Sequence, residues 1–126
     1  SPPLEWNDVS DKAQSLALLM DDPDAPSGVF THWILFNLPP NSRELLEGVS
    51  PVPRLPSGTL QGKNDFGKFG YGGPCPPPGS PHHYRFTLYA LDQQLEIEAG
   101  ASKKQLLKAI DGHILIQSRL TGTYQR

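Results

Sequence analysis

Cysteine is almost absent. Cys75 stands alone, so no internal disulfide forms and folding does not require an oxidising compartment. Charge of one sign is missing too. Eleven basic residues face 13 acidic ones for a net of −2, and no basic run marks a nucleic-acid surface or a membrane patch. No apolar run approaches the roughly 20 residues that span a bilayer, and no signal-peptide pattern opens the chain. HExxH, GxSxG and P-loop signatures are lacking. These absences point to one soluble, cytoplasmic domain over residues 1–126 with no cofactor, no nucleic-acid partner and no membrane span.

Proline, by contrast, is plentiful. The chain has 14, about twice the usual share of roughly 5%. All lie at or before Pro81, so the first two thirds is rich in loops. The densest stretch is GYGGPCPPPGSPHHY, residues 70–84. Its prolines exclude a helix interior or a central strand, and its glycines let the backbone approach a ligand closely. A stiff polar loop that runs into an apolar strand is a natural place for binding.

Period-two alternation predicts strands over 15–22, 30–38, 84–91 and 113–124. The second is apolar on both faces, as in a central strand. A short strand is expected after Leu60, another over 95–98, a helical turn over 44–46, and an extended segment over 1–7. The one real helix is expected over 102–111. Ser102 and Gln105 have capping-box spacing, Leu106, Leu107 and Ile110 form a stripe, and Gly112 sits where a C′ glycine belongs. Several strands and one late helix imply a mostly β, antiparallel sandwich.

Phase singles out a set of polar residues. Asp22 ends the apolar stripe Leu16, Leu18, Met20; His32 begins the stripe Ile34, Phe36, Leu38; His82 and Tyr84 begin the third. If those stripes share one core, the four side chains converge at one end of it. Buried polar groups need partners, so they bond to each other or line a small pocket. Two imidazoles and a phenol suit an anionic oxygen ligand such as phosphate. The N–H groups of residues 70–73 would add an anion-binding nest, and Asp22 would orient a histidine while Asp24 braces the loop. The plainer readings are that Asp22 and Asp24 serve the turn around Pro23, that His32 is a satisfied core histidine, and that Tyr84 is a core aromatic. His83 points to the opposite face.

At these residues the chain resembles the phosphatidylethanolamine-binding protein family, in its bacterial and archaeal branch. The matching pieces are SPPLEW at 1–6, DDPDAPSG at 21–28, THWILFNLPP at 31–40, NDFGKFGYGGPCPPPG at 64–79 and PHHYRFTLYALD at 81–92, with a fitting tail. The resemblance implies a Greek-key β-sandwich with a C-terminal helix and an anion pocket at one end of the sheet. It places the pocket on Asp22, Asp24, His32, His82 and Tyr84, with Gly73 and Pro74 as its lip and Ala25 and Pro26 in its wall. Relatives carry an N-terminal arm and first strand before the SPPL segment, so an unpaired sheet edge, open to a homodimer, is expected here.

Three functions follow. The first is a non-enzymatic module that binds phosphate-bearing ligands, lipid headgroup or phosphorylated residue, and thereby modulates kinase signalling; its affinity falls as pH rises through the histidine range. The second is an inhibitor or scaffold for a kinase or protease that acts through its surface. The third is an enzyme, either with a metal on Asp22, His32 and His82 or with Cys75 as a thiol nucleophile. Cys75 lies between two prolines with no helix N-terminus to lower its pKa, and the reading adopted is not an enzyme and holds no metal.

Overall fold

Three long apolar stretches build the main sheet: β2 (Ser15–Asp22), β3 (Phe30–Leu38) and β6 (His82–Leu91). The computed structural model describes residues 1–7, 9–25, 28–73 and 82–124, with the side chains of 82, 83 and 120–124 excepted. β2 is central and buried along its whole length, with β3 on one side and β6 on the other. β5 (Leu60–Gln61) extends the sheet beyond β3, and β7 (Ile114–Tyr124) beyond β6. All pairings are antiparallel. The chain steps outward from β2 to β3 to β5 and then returns to lay β6 beside β2, which is Greek-key order. β7 forms an edge, as does β5.

Both faces of this sheet are covered. A two-stranded sheet of β1 (Leu4–Glu5) and β4 (Glu44–Leu45) brings Leu4 and Leu45 onto one face, where Trp6 joins them. The helix α1 (Lys103–Ile110) packs Leu106 and Ile110 onto the other. The architecture is therefore the mostly β, sandwich-like arrangement with a late helix that the sequence predicts.

The expected single core is instead two. Leu16, Leu18, Met20, Trp33, Leu35, Tyr84 and Leu88 face the small sheet. Ala17, Leu19, Ile34, Phe36, Tyr89 and Leu91 face the helix. The reason lies in the pleat: a strand that is apolar on both faces feeds two cores. Two local expectations also fail. Residues 44–45 pair with β1 rather than forming a helical turn, and residues 95–98 form no strand. Leu95 is instead held at its backbone by Asn37, whose Oδ1 accepts its N–H at 2.8 Å and whose Nδ2 donates to its carbonyl at 3.0 Å. Asn37 sits at φ 56°, a region that Asn tolerates, beside a break in the β2–β3 register.

The helix forms where the sequence places it. Ser102 Oγ accepts from the Gln105 N–H and Gln105 Oε1 accepts from the Ser102 N–H, closing a capping box. Gly112 follows at φ 81°, the left-handed conformation that ends the helix. Leu107 is not part of the buried stripe; it stays exposed. Ser102→Ala should destabilise the fold by about 1 kcal/mol, read as a lower urea midpoint at unchanged m.

Candidate functional site

His32 reaches its place through an irregularity. Met20 pairs with Trp33 but Asp21 pairs with Thr31, so His32 is an extra residue in β3, a β-bulge. Plain alternation would leave His32 with Ile34 and Phe36 on the helix face. The bulge turns it to the other side, where its ring meets Tyr84 edge-on with centroids 5.5 Å apart. Asp22 lies on that same face by its pairing with Phe30, and Tyr84 packs in the same core cluster as Met20.

The glycine loop then clamps the ring. His32 Nδ1 is 2.7 Å from the Gly72 carbonyl oxygen. A carbonyl only accepts, so Nδ1 carries the proton and Nε2 is the remaining polar atom: an acceptor in the neutral ring, a donor in the imidazolium. The Gly72 N–H returns a bond to the His32 carbonyl at 2.8 Å. One residue back, Asp65 Oδ2 accepts from the Thr31 N–H at 2.7 Å and the Asp65 N–H donates to the Thr31 carbonyl at 2.9 Å. The loop is shaped from within by buried Asn64, which donates to the Gly70 carbonyl and accepts from the N–H groups of Phe66 and Lys68. A side chain at residue 72 would run into the Phe66 ring, so Gly72 lets these two segments close on each other.

Each residue singled out in the sequence can now be placed. His32, Tyr84 and Asp22 are buried, at 4%, 4% and 3% exposure, on one face of the sheet end. Asp22 Oδ1 accepts from the Asp24 N–H at 2.8 Å, so this carboxylate also shapes the turn, the plainer role open to it. Asp24 is exposed, and Ala25 is half-buried and accepts from the Gly28 N–H. Gly73 is exposed beyond the clamp. The backbone of His82 lies in β6, two residues from Tyr84 and opposite Tyr124, which puts it at a position of the Tyr84 face; its side chain lies outside the described residues. Pro26, Pro74 and Cys75 also lie outside them. The nest expected at residues 70–73 is not built as proposed. The Gly70 and Gly72 N–H groups point to the carbonyls of Gly62 and His32, and a donor so committed is not offered to an anion.

Three features escaped the sequence reading. Phe30 and Phe66 flank the His32 ring, at centroid distances of 4.9 and 5.9 Å, and shield it with apolar faces. A cleft of about 850 Å³ is lined by Phe66, Phe69, Tyr71, Gly72 and Gly73, among others. On the opposite face of the sheet, buried Asp21 bonds Arg85 Nε at 2.8 Å and Lys103 Nζ at 3.0 Å, tying β6 and the helix to β2. The hydrogen bond that Arg85 donates to Asp21 raises the guanidinium pKa, with burial acting against it. No spacing pattern announces Asp21, because its partners are distant in sequence and meet it only through strand pairing and helix docking.

An antiparallel Greek-key sandwich with a histidine–tyrosine pair clamped by a glycine loop at the sheet end defines a class, and comparison places the chain within it. A profile of the family described as phosphatidylethanolamine-binding protein matches residues 1–125. The chain belongs to that family. It is 56% identical, over all of its length and 83% of the relative's, to a UPF0098 protein of Methanothermobacter thermautotrophicus. It is 48% identical to a UPF0098 protein of Aquifex aeolicus, over all of its length and 74% of that protein's. Among solved structures, a phosphatidylethanolamine-binding protein homologue from Chlamydia trachomatis superposes with a TM-score of 0.90 at 44% identity, over all of this chain and 81% of that one. Escherichia coli YbcL superposes at 0.89 with 34% identity, over all of this chain and 80% of that one. No helix among the described residues is long and apolar enough to cross a membrane.

Proposed function

We propose that the chain is a non-enzymatic binding protein whose pocket takes a phosphate-bearing anion, the headgroup of a lipid or a phosphorylated side chain. Asp22, Asp24, His32, Gly73, Pro74, His82 and Tyr84 line it, with Ala25 and Pro26 in the wall. The observation that carries this reading is the His32 ring. It is buried, held at Nδ1 by the Gly72 carbonyl and edge-on to Tyr84, so that Nε2 is the atom left to serve a ligand. Desolvated, pre-oriented donors bind a phosphate oxygen more strongly than flexible surface ones, because their ordering cost is already met by folding.

Calorimetry with phosphoethanolamine and with O-phosphotyrosine tests the reading. The expected result is saturable one-site binding to the wild type and at least about a tenfold loss in His82→Ala, the scale of one hydrogen bond to a charged group. Equal affinity in the two proteins would remove His82 from the pocket, and no binding to either would remove the function.

A further inference from the structure

A concavity adjoins the candidate pocket at Phe66, Gly72 and Gly73, and its aromatic lining has no part in the phosphate reading. Phe66, Phe69, Tyr71, Gly72, Gly73 and Lys68 are among the residues that line its roughly 850 Å³. Phe66 is 50% exposed. The cleft and the candidate pocket share a wall. Phe66 both contacts the His32 ring and lines the cleft, and Gly72, whose carbonyl fixes His32, lines it too.

We infer that this cleft is a specificity subsite for an aromatic side chain next to a phosphorylated residue in a peptide segment. The inference rests on the phosphate reading of the pocket. The His32 and Phe66 rings touch edge-on, with centroids 5.9 Å apart, so the cleft adjoins the candidate phosphate site through one side chain. Aromatic walls favour an aromatic guest through edge and offset contacts. A cationic guest is disfavoured, because Lys68 lines the cleft and Lys63 already occupies the Phe69 ring at 5.5 Å. A lipid tail fits less well: the cleft is open and lined in part by a lysine, whereas an acyl chain needs a long enclosed apolar channel. Lys68 also suits the negative charge that phosphorylated segments carry.

The test uses fluorescence anisotropy with short phosphoserine peptides flanked on either side by two Phe or by two Ala, together with phosphoethanolamine and dihexanoyl phosphatidylethanolamine. The wild type should prefer the Phe-flanked peptides by about tenfold or more, from burial of one aromatic ring. Phe66→Ala should abolish that ratio, and Lys68→Gln should weaken the Phe-flanked and Ala-flanked phosphopeptides equally while keeping the ratio. Binding of all phosphopeptides with no preference for Phe overturns the subsite and leaves the phosphate pocket standing. Binding of the short-chain lipid far above phosphoethanolamine, lost in Phe66→Ala and with no preference among the peptides, overturns it in favour of an acyl guest. Binding of none of the probes overturns both the pocket and the subsite.

Discussion

Gly62→Ala is expected to cost at least about 3 kcal/mol of stability, read as a large fall in the urea midpoint or as failure to recover folded protein. A Cβ there would collide with the Ala101 carbonyl oxygen and lie 2.9 Å from two carbons of Ile34. Neither neighbour can yield cheaply. Ile34 is fully buried, and the Ala101 carbonyl is backbone that accepts the Lys63 N–H at 3.2 Å. Gly62 itself donates to the Ile34 carbonyl at 3.0 Å, which holds it against β3. The crossing of chain segments here leaves room for hydrogen only. Gly48→Ala is the matched comparison: it has open space around it but φ 80°, so it should cost about 1–2 kcal/mol from backbone conformation alone. A Gly62→Ala protein no less stable than Gly48→Ala would refute the close approach.

Gln61→Leu should destabilise by about 2–4 kcal/mol despite its similar size, because the buried Trp33 indole N–H loses its partner at about 1–3 kcal/mol and two part-buried loop carbonyls lose theirs for less. Gln61 is fully buried. Its Oε1 accepts from Trp33 Nε1 at 2.8 Å, and its Nε2 donates to the carbonyls of Ser50 and Val52 at 2.7 and 2.8 Å. The two carbonyls can only accept, which fixes the orientation of the amide. One side chain thus ties the loop at 50–52 to β3 and satisfies the indole of the largest buried residue. Gln61→Glu should be worse still: it keeps the acceptor for Trp33 but buries a charge against two carbonyl oxygens. The check is equilibrium urea unfolding with the Trp33 emission as one probe. A loss below about 1 kcal/mol in Gln61→Leu would mean that water replaces these bonds.

How far the sequence goes is clearest at the strands and the helix. The runs over 15–22, 30–38 and 113–124 alternate or are apolar throughout, and each becomes a strand; Ser102, Gln105 and Gly112 place the helix ends. These are local signals: side-chain period and capping chemistry act within a few residues, so they survive without the rest of the fold. Residues 44–45 and 95–98 were misread because both are short and neither has a period of its own. The first pairs with Leu4 and Glu5, 41 and 39 positions away, and the second is held at Leu95 by Asn37. Nothing within such a segment encodes a partner that distant.

The candidate site shows the same division more sharply. His32, Tyr84 and Asp22 were singled out by phase, and they do lie on one face of the sheet end. Yet phase alone would have put His32 on the wrong face: its stripe partners Ile34 and Phe36 pack against the helix. The bulge between the Met20–Trp33 and Asp21–Thr31 pairs brings it across, and a bulge is a property of two strands in register, which a single-strand pattern cannot express. Two donors of the expected nest are lost to the same cause, since the Gly72 N–H finds the His32 carbonyl on β3 and the Gly70 N–H the Gly62 carbonyl.

By itself, then, the sequence determined the order of the strands, the capped helix, the family and the residue types available for an anion. Tertiary structure alone decided the split into two cores, the crossing of His32 to the Tyr84 side, the donor state of its Nδ1 and the cleft beside Phe66. The physical reason is range. Periodicity and capping are settled between near neighbours, whereas a bulge, a buried amide hub and a clamped imidazole exist only once separate segments have been brought together, 40 residues apart in the case of His32 and Gly72.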